Sequence, residues 1–266
     1  MKIILLPFYV ALVIFAQHPA KAEDLSIVGT GDGLVIMNAL AQAFNETHSG
    51  IAVNVLRSVG SSGGIKSVGN NRHVLGRIAR KINDKEKGYE LEYQPFAKFP
   101  VVFFVNNMVP VTNLSTGQIR QIYSGKITNW REVSNGAGKI RVVRREDGDS
   151  SLQNLRRTLP GFGDVSITTK SKTTTTTQEN FDIVEETPGT ISFGPYPDAT
   201  LSSVKVLNIG GIAPTDPLYP SFTTLALIYK AKNKNSVALQ FIDFLNTETA
   251  QNVIRRQGGT PLSNTD

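Results

Sequence analysis

Three polar, glycine-rich turns carry the residues best suited to binding an anion. Each turn follows a short apolar run and precedes a stretch with apolar residues at helical spacing. The turns are 29–33 (Gly-Thr-Gly-Asp-Gly), 60–64 (Gly-Ser-Ser-Gly-Gly) and 145–151 (Arg-Glu-Asp-Gly-Asp-Ser-Ser). A helix that begins at such a turn presents free backbone N–H groups and the positive end of its dipole. Both favour a negative charge.

The third turn contains the residue with the most specific chemistry. The planar guanidinium of Arg145 can give an oxyanion two parallel hydrogen bonds. Asp147 can orient that guanidinium or accept a proton from a protonated oxyanion. Ser150 and Ser151 supply donors at the start of the next predicted helix. The alternative is a solvated surface turn without a ligand, because charged segments of this kind usually lie at the surface.

The first turn only partly matches a dinucleotide-binding fingerprint. That motif requires G-x-G-x-x-G, and position 34 is Leu rather than Gly. It also requires an acid about 20 residues further on, where this chain has Arg57 and Ser58. Two interpretations of the first turn remain: it binds an anion at the start of the helix, or it is a tight turn without a ligand.

The second turn matches G-x-S-x-G, the nucleophile elbow of hydrolases. In those enzymes the elbow lies in the middle of the sheet, whereas only one or two strands precede it here. The only histidine downstream is His73, just beyond the turn, so no later histidine completes a triad. We therefore interpret the turn as a source of hydroxyl and N–H donors.

The composition excludes several other chemistries. The chain has no cysteine, which removes disulfides, thiol catalysis and cysteine metal sites. Its histidines, at 18, 48 and 73, are scattered, and no GxxxxGK[ST] motif is present. The basic residues show no pattern typical of nucleic-acid binding. We expect no catalytic residue, no metal, no cofactor and no nucleic-acid partner.

The amino terminus has the pattern of a secretory signal peptide. A basic start, Met1-Lys2, precedes an uncharged apolar run over 3–16 and an Ala-Lys-Ala ending at Ala22. The run is shorter than the ~20 residues of a transmembrane helix. Cleavage after Ala22 leaves 26 basic and 22 acidic residues, so the charge falls from +6 to +4. We expect export to a bacterial periplasm; an uncleaved anchor is the alternative.

Apolar runs alternate with helical patterns along the rest of the chain. Predicted strands lie at 25–28, 51–56, 74–80, 101–105, 140–143, 191–193 and 222–230. Predicted helices lie at 34–45, from 65, at 115–123 with Ser115 as N-cap, and at 152–158, 178–186 and 237–256, the last a single amphipathic helix. This alternation indicates an α/β fold with mostly parallel strands. Ligands of such sheets bind at the carboxyl ends of strands, so the three turns are expected to converge.

The chain resembles the PstS-like, phosphate-binding branch of the periplasmic substrate-binding proteins of ABC transporters. The segments that carry the resemblance are Gly29-Thr30, 59–65, 75–80 followed by Asp84 and Glu86, 99–106, 122–130, 142–151, 187–194, and 241–245 with 259–262. The string 122–130 (Ile-Tyr-Ser-Gly-Lys-Ile-Thr-Asn-Trp) and the carboxyl-terminal segment are the most specific of these. The glycine turns alone are not specific.

The resemblance implies a type II periplasmic-binding-protein fold, with mixed sheets flanked by helices in two lobes. Lobe 1 is predicted to comprise 23–105 plus 195–266 and lobe 2 to comprise 106–194, after a signal peptide at 1–22. Strands near 101–106 and 191–197 are predicted to carry two hinge crossings. It implies a monomer that captures phosphate between the lobes, delivers it to an inner-membrane ABC permease and catalyses nothing.

The same resemblance assigns the ligand-binding residues. They are Thr30, Gly31, Ser61, Ser62, Gly63, Arg80, Arg145, Asp147, Ser150 and Ser151. Arg145 matches the family's phosphate-clamping arginine, and Asp147 matches the acid that pairs with it.

Two departures from the family pattern broaden the range of ligands that we expect. Asp149 stands where many relatives have Ser, and we expect it to face away from the cleft or to pair with an arginine. Arg80 stands where the best-known members have a proton-accepting Asp. The ligand is therefore predicted as a tetrahedral oxyanion, with phosphate first and sulfate or phosphonate as alternatives. A second alternative is an exported sensor or surface-adhesion protein with the same fold and no coupling to transport.

Overall fold

The computed structural model describes residues 23–136 and 138–262. The predicted signal peptide lies outside the described residues. These described residues form twelve strands, which are β1 Glu23–Gly29, β2 Ile51–Ser58, β3 Leu75–Ile78, β4 Glu92–Asn106, β5 Asn113–Leu114, β6 Arg141–Arg145, β7 Lys172–Thr174, β8 Thr190–Pro195, β9 Val204–Val206, β10 Asn208–Ile209, β11 Phe222–Tyr229 and β12 Thr260–Pro261. The α-helices of the same ranges are α1 Leu34–Thr47, α2 Gly60–Gly69, α3 Thr116–Tyr123, α4 Ser150–Thr158, α5 Thr177–Glu186, α6 Tyr196–Ala199, α7 Ser236–Phe244 and α8 Glu248–Arg256.

The main sheet is mixed, in the order β2-β1-β3-β11-β4-β8-β6-β7. In one half, β2, β1 and β3 run parallel, and in the other half β8, β6 and β7 run parallel. Between them, β11 and β4 are antiparallel to their neighbours. The predicted α/β class is therefore confirmed. The prediction of mostly parallel strands holds only within each half, because every pair that involves β4 or β11 is antiparallel.

Strand β4 belongs to both halves of the molecule. Its first part pairs with β11, down to Pro100 opposite Phe222, and its second part pairs with β8 from Val101 onward. This second part is the apolar run of the sequence, and its residues are buried, as expected for a strand covered on both faces. The backbone N–H of Val101 donates to the carbonyl of Ser221 (3.0 Å), so the outgoing and returning chains meet there.

Two large hydrophobic cores lie on either side of this crossing. Core 1 is formed by buried residues between Leu25 and Phe99 together with those between Leu225 and Ile254. Core 2 is formed by buried residues between Val101 and Tyr219, including Trp130. A smaller cluster around Ile65 and Ile228 covers the other face of the first half. The lobe limits expected from the family resemblance stay a prediction.

The carboxyl-terminal helix differs from the sequence expectation. The amphipathic pattern over 237–256 predicts one helix, and this prediction is wrong because the chain forms α7 and α8 with a break between them. The Thr247 hydroxyl accepts from the backbone N–H of Ala250 (3.3 Å) and caps the start of α8. A Thr side chain that caps a new helix competes with continuation of the preceding helix. Apolar periodicity alone does not reveal such a break. The predicted N-cap at Ser115 is confirmed.

Within the two described ranges, no helix combines the length and the apolar character needed to cross a bilayer.

Candidate anion-binding site

The polar turns converge where the parallel strands of both halves end. From one half, β1 leads into α1 and β2 into α2, while β3 ends beside them. From the other half, β6 leads into α4 and β7 into α5. The starts of these helices therefore face one interlobe region, which is where open α/β sheets bind ligands.

Arg145 is the central cation of this region and is only 6% exposed. Its guanidinium donates to the hydroxyl of Thr177 (3.2 Å) and to the carbonyl of Thr175 (3.3 Å). It also pairs with the carboxylate of Asp149 at 3.1 Å. Its buried Nε has no hydrogen-bond partner among the described residues, so one donor remains unused. Such a donor set suits an oxyanion.

Hydroxyl groups join the two lobes directly. The hydroxyls of Ser61 and Ser150 lie 2.8 Å apart, and both side chains are buried. The hydroxyl of Ser151 donates to a carboxylate oxygen of Asp32 (2.7 Å). Ser61 also accepts from the backbone N–H of Ala79 (3.2 Å). These residues come from the starts of α2 and α4 and from the turn before α1, so the site is built from both halves.

Two carboxylates are buried beside Arg145. Burial raises the pKa of Asp32, and the charge of Arg145 and the hydrogen bond from Ser151 counteract this only in part. Burial, reinforced by the nearby charge of Asp32, raises the pKa of Asp149 to about 7 despite its pairing with Arg145. Asp149 also accepts from the backbone N–H of Leu152 (2.9 Å) and caps α4. The site therefore holds acids as well as donors, and both acids are easier to protonate than usual.

Asp147 does not pair with Arg145, which corrects the pairing expected from the resemblance. Its side chain is 73% exposed, contacts the guanidinium of Arg144 and lies 3.5 Å from Arg156. The hydrogen bond and charge of Arg144 lower the pKa of Asp147. Asp149, two residues further along the turn, takes the place beside Arg145. The expectation that Asp149 pairs with an arginine agrees with this geometry.

Arg80 and Ser62 form a second group at the edge of the site. Arg80 makes two hydrogen bonds to the carboxylate of Glu86 (2.7 and 2.8 Å) and one to the hydroxyl of Ser62 (2.8 Å). Burial alone would raise the pKa of Glu86, but the hydrogen bonds from Arg80 and from the backbone of Asn83 lower it overall. Glu86 therefore neutralises much of the positive charge that Arg80 brings.

The predicted residues of the first turn lie beside Arg77. The buried Thr30 accepts from the backbone N–H of Asp32 (3.1 Å), and its carbonyl accepts from Arg77 (2.8 Å). A Cβ on Gly31 would lie 2.8 Å from the Thr177 hydroxyl, so this glycine permits the close approach of the two lobes. Gly63 is half-buried, and a Cβ there would meet Val59 rather than the other site residues.

Several site residues lie outside the sequence-based list of ligand residues. Asp149 enters the sequence-based expectations only as a departure from the family pattern, Asp32 only as a member of the first turn, and Thr177 not at all. Asp198, at α6, was also missed; burial and the charge of Asp32 raise its pKa well above the usual range. Thr177 had a usable signal, because it ends a threonine-rich stretch before a predicted helix. Nothing in the local sequence marks Asp198.

The described residues contain no group of three or more His, Asp or Glu side chains that could hold a metal ion.

The chain belongs to the PBP superfamily, because the model of the PBP superfamily domain matches residues 16–249. Among curated proteins it is similar to the phosphate-binding protein PstS of Borreliella burgdorferi, with 21% identity over 280 positions that cover 97% of each chain. It is also similar to PstS of Bacillus subtilis, with 24% identity over 92% of this chain and 84% of that protein. The resemblance to the PstS-like group is thereby confirmed.

Solved structures confirm the two-lobed fold. One is a candidate phosphate ABC transporter substrate-binding protein of Clostridium perfringens, determined with bound phosphate. It has a TM-score of 0.82 and 25% identity, covering 91% of this chain and all of that one. An ABC-type phosphate transport receptor of Vibrio cholerae has a TM-score of 0.67 and 24% identity, covering 90% of this chain and all of that one. None of these names describes an enzyme.

Proposed function

We propose that this protein is the substrate-binding component of an ABC transporter and captures a tetrahedral oxyanion, with phosphate first, between its two lobes. The observation that carries the proposal is the buried guanidinium of Arg145, which retains an unused donor at the starts of helices from both lobes. The hydroxyls of Ser61, Ser150 and Ser151 surround the same region. Charge-assisted bonds from arginine and N–H groups at helix starts are the usual means of holding such anions.

The relatives favour phosphate among the oxyanions. The curated relatives are named as phosphate-binding proteins, and the C. perfringens structure contains phosphate. Sulfate and phosphonate remain alternatives. An ionised acid in this site would accept a hydrogen bond from a ligand that carries a proton and would repel a ligand that carries none. Phosphate carries a proton at neutral pH, whereas sulfate does not.

The lobes are proposed to move about two crossings of the central sheet. Cores 1 and 2 meet between Phe99 and Val101 on β4 and between Phe222 and Leu225 on β11. The first crossing lies in the strand predicted from the sequence. We propose that the second crossing lies later in the chain than 191–197, and the packing of β8, α6, β9 and β10 with core 2 supports this.

The decisive test of the ligand is calorimetric titration of the mature protein with phosphate. One tight site is expected, and Arg145→Ala should weaken phosphate binding by at least about 30-fold, because truncating a buried, hydrogen-bonded charge costs ~2 kcal/mol or more. Arg72→Ala, which removes an exposed arginine outside the site, is the matched control. Unchanged phosphate affinity in Arg145→Ala would refute the site.

Transport, export and the monomeric state are further parts of the proposal. The cleaved signal peptide and the periplasmic location are proposed from the pattern of residues 1–22, and the inner-membrane permease from the resemblance to substrate-binding proteins of ABC transporters. Loss of phosphate uptake on deletion of the gene would support transport. Retained uptake, with loss of a signalling or attachment phenotype, would favour the sensor or adhesion alternative. Hydrolysis of p-nitrophenyl phosphate should not exceed that of a buffer blank.

A further inference from the structure

A cavity lies in lobe 2, at the opposite end of β6 from Arg145. It encloses about 760 Å³, a size typical of small-molecule sites. Its lining residues come from α3, the segment 125–129, the segment 139–143 that includes most of β6, the segment 168–172, α5 and the start of β8. None of them belongs to the interlobe site. Along β6, Arg141 and Arg145 are separated by about 13 Å.

The floor of this cavity is mainly aliphatic, and its buried polar side chain, Thr190, donates its hydroxyl to the carbonyl of Thr187 (2.7 Å). Ile122, Ile140, Val142 and Val143 are buried residues of core 2 or of β6 beside it, and Ile183 of α5 is half-buried. Branched aliphatic side chains give a ligand dispersion contacts and offer no polar group that would need a partner. The floor therefore suits the apolar body of a ligand.

The rim of the cavity is cationic. Lys139, Arg141, Lys170 and Lys172 line it and are exposed, while no Asp or Glu is among the lining residues. None of these cations takes part in an ion pair within the described ranges, and Arg141 donates only to the carbonyl of Pro188 (2.8 Å). Like charges around one opening repel each other, and an anionic group placed among them would relieve that repulsion.

We propose that this cavity binds a small amphiphile with an aliphatic body and a single anionic head group. The body lies on the isoleucine and valine floor, and the head group lies among the lysines and Arg141 at the rim. Neither half of the cavity alone defines the ligand. An inorganic anion leaves the floor uncovered, and an uncharged or cationic aliphatic molecule leaves the rim charges unrelieved. The site is separate from the proposed oxyanion site and does not depend on it.

The probe for this site is octanoate, compared by calorimetric titration with 1-octanol, octylammonium and acetate. Octanoate is expected to bind at one saturable site at least tenfold more tightly than each of the other three. Binding should be unchanged in excess phosphate, because the two sites share no residue. Equal affinity for octanoate and octanol, or stoichiometric competition by phosphate, would overturn the proposal.

Charge reversal at the rim tests the location. Lys170→Glu combined with Lys172→Glu should weaken octanoate binding at least tenfold. The matched control, Lys85→Glu combined with Lys232→Glu, makes the same charge change at exposed lysines outside the cavity and should retain affinity. The melting temperature of each variant reports whether it folds. Equal loss in both pairs would overturn the proposal. A further outcome would also overturn the proposal: the protein binds vesicles of anionic phosphatidylglycerol through Lys170 and Lys172 but does not bind octanoate. That result would mean that the cationic rim contacts a membrane surface.

Discussion

At the residue scale, the guanidinium of Arg145 is shared between the protein's own carboxylate and any ligand. Asp149 lies 3.1 Å from it and occupies a donor that an oxyanion would otherwise use. When it is ionised, at a pH above about 7, the same carboxylate repels an approaching anion. Asp149 also caps α4, so its position is fixed by the helix start as well as by the ion pair.

At about pH 8, where the carboxylate of Asp149 is mostly ionised, Asp149→Ser should raise the affinity for phosphate by about tenfold or more, since it removes one repulsive charge and frees Arg145. Serine is also a good N-cap, so the start of α4 should be preserved. Asp147→Ser is the matched control: it removes an exposed carboxylate from the same turn, and affinity should change less than about twofold. Titration calorimetry measures both. Unchanged or weaker binding in Asp149→Ser would contradict the competitive role of the carboxylate.

The buried acids also predict how stability depends on pH. The pKa of Asp149 is raised from 3.8 to about 7, so the folded state keeps a proton that the unfolded chain has already released in this interval. Stability of the ligand-free protein should therefore fall as pH rises through this range. The raised pKa values of Asp32 and Asp198 act in the same direction.

The measurement for this prediction is the melting temperature between about pH 5 and pH 8 in phosphate-free buffer. It should decrease as pH rises, and Asp149→Asn should flatten the dependence because the substituted side chain does not titrate. A melting temperature that increases over the interval, or an equal slope in the variant, would show that these carboxylates are charged in the folded state.

At the element scale, Arg77 connects the ends of three neighbouring strands. Its side chain is 0% exposed and donates to the carbonyls of Thr30, Ile27 and Leu56 at 2.6–2.8 Å. Burial lowers its pKa to about 10, so the guanidinium stays charged at neutral pH. A single side chain on β3 thus fixes the carboxyl ends of β1 and β2, from which two of the ligand turns begin.

Arg77→Met should lower the free energy of unfolding by about 3 kcal/mol or more, because each carbonyl left without a buried donor costs ~1–3 kcal/mol. Chemical denaturation gives this value. Arg72→Met, at an exposed arginine, should remain within ~0.5 kcal/mol of the native chain. A similar result for the two variants would mean that water or a shifted backbone replaces the three hydrogen bonds.

The sequence predicts elements better than it predicts which side chains meet. The strand–turn–helix units around 29–33, 60–64 and 145–151 follow from local apolar periodicity and glycine placement, and they converge as expected. The choice of Asp147 over Asp149 as the partner of Arg145 fails. Both residues lie in one short turn, and spacing along the chain does not say which carboxylate turns inward. Thr177 and Asp198 reach the site from distant elements, so only the tertiary fold places them.

At the scale of the whole molecule, closure depends on how near the first turn can approach lobe 2. Gly31→Ala should weaken phosphate binding by about tenfold, because the new Cβ would displace the Thr177 hydroxyl from Arg145. Gly88→Ala, where no atom lies within 4 Å of the added Cβ, should bind as the native chain does. The two affinities are compared by titration, with melting temperature as the check on folding. Native affinity in Gly31→Ala would mean that the lobes need not approach this closely.

The antiparallel pairing of β4 with β11 has a consequence for biosynthesis. Pro100 on β4 lies opposite Phe222 on β11, so the segment between them connects two antiparallel strands. In a simple hairpin this connection is a short loop, whereas here it contains all the buried residues of core 2. Core 2 is complete once the chain has been made to Tyr219, whereas core 1 must wait for residues as late as Ile254. During synthesis, the inserted unit can therefore fold first, while the amino-terminal strands remain exposed and need protection from aggregation until the last helices have been made.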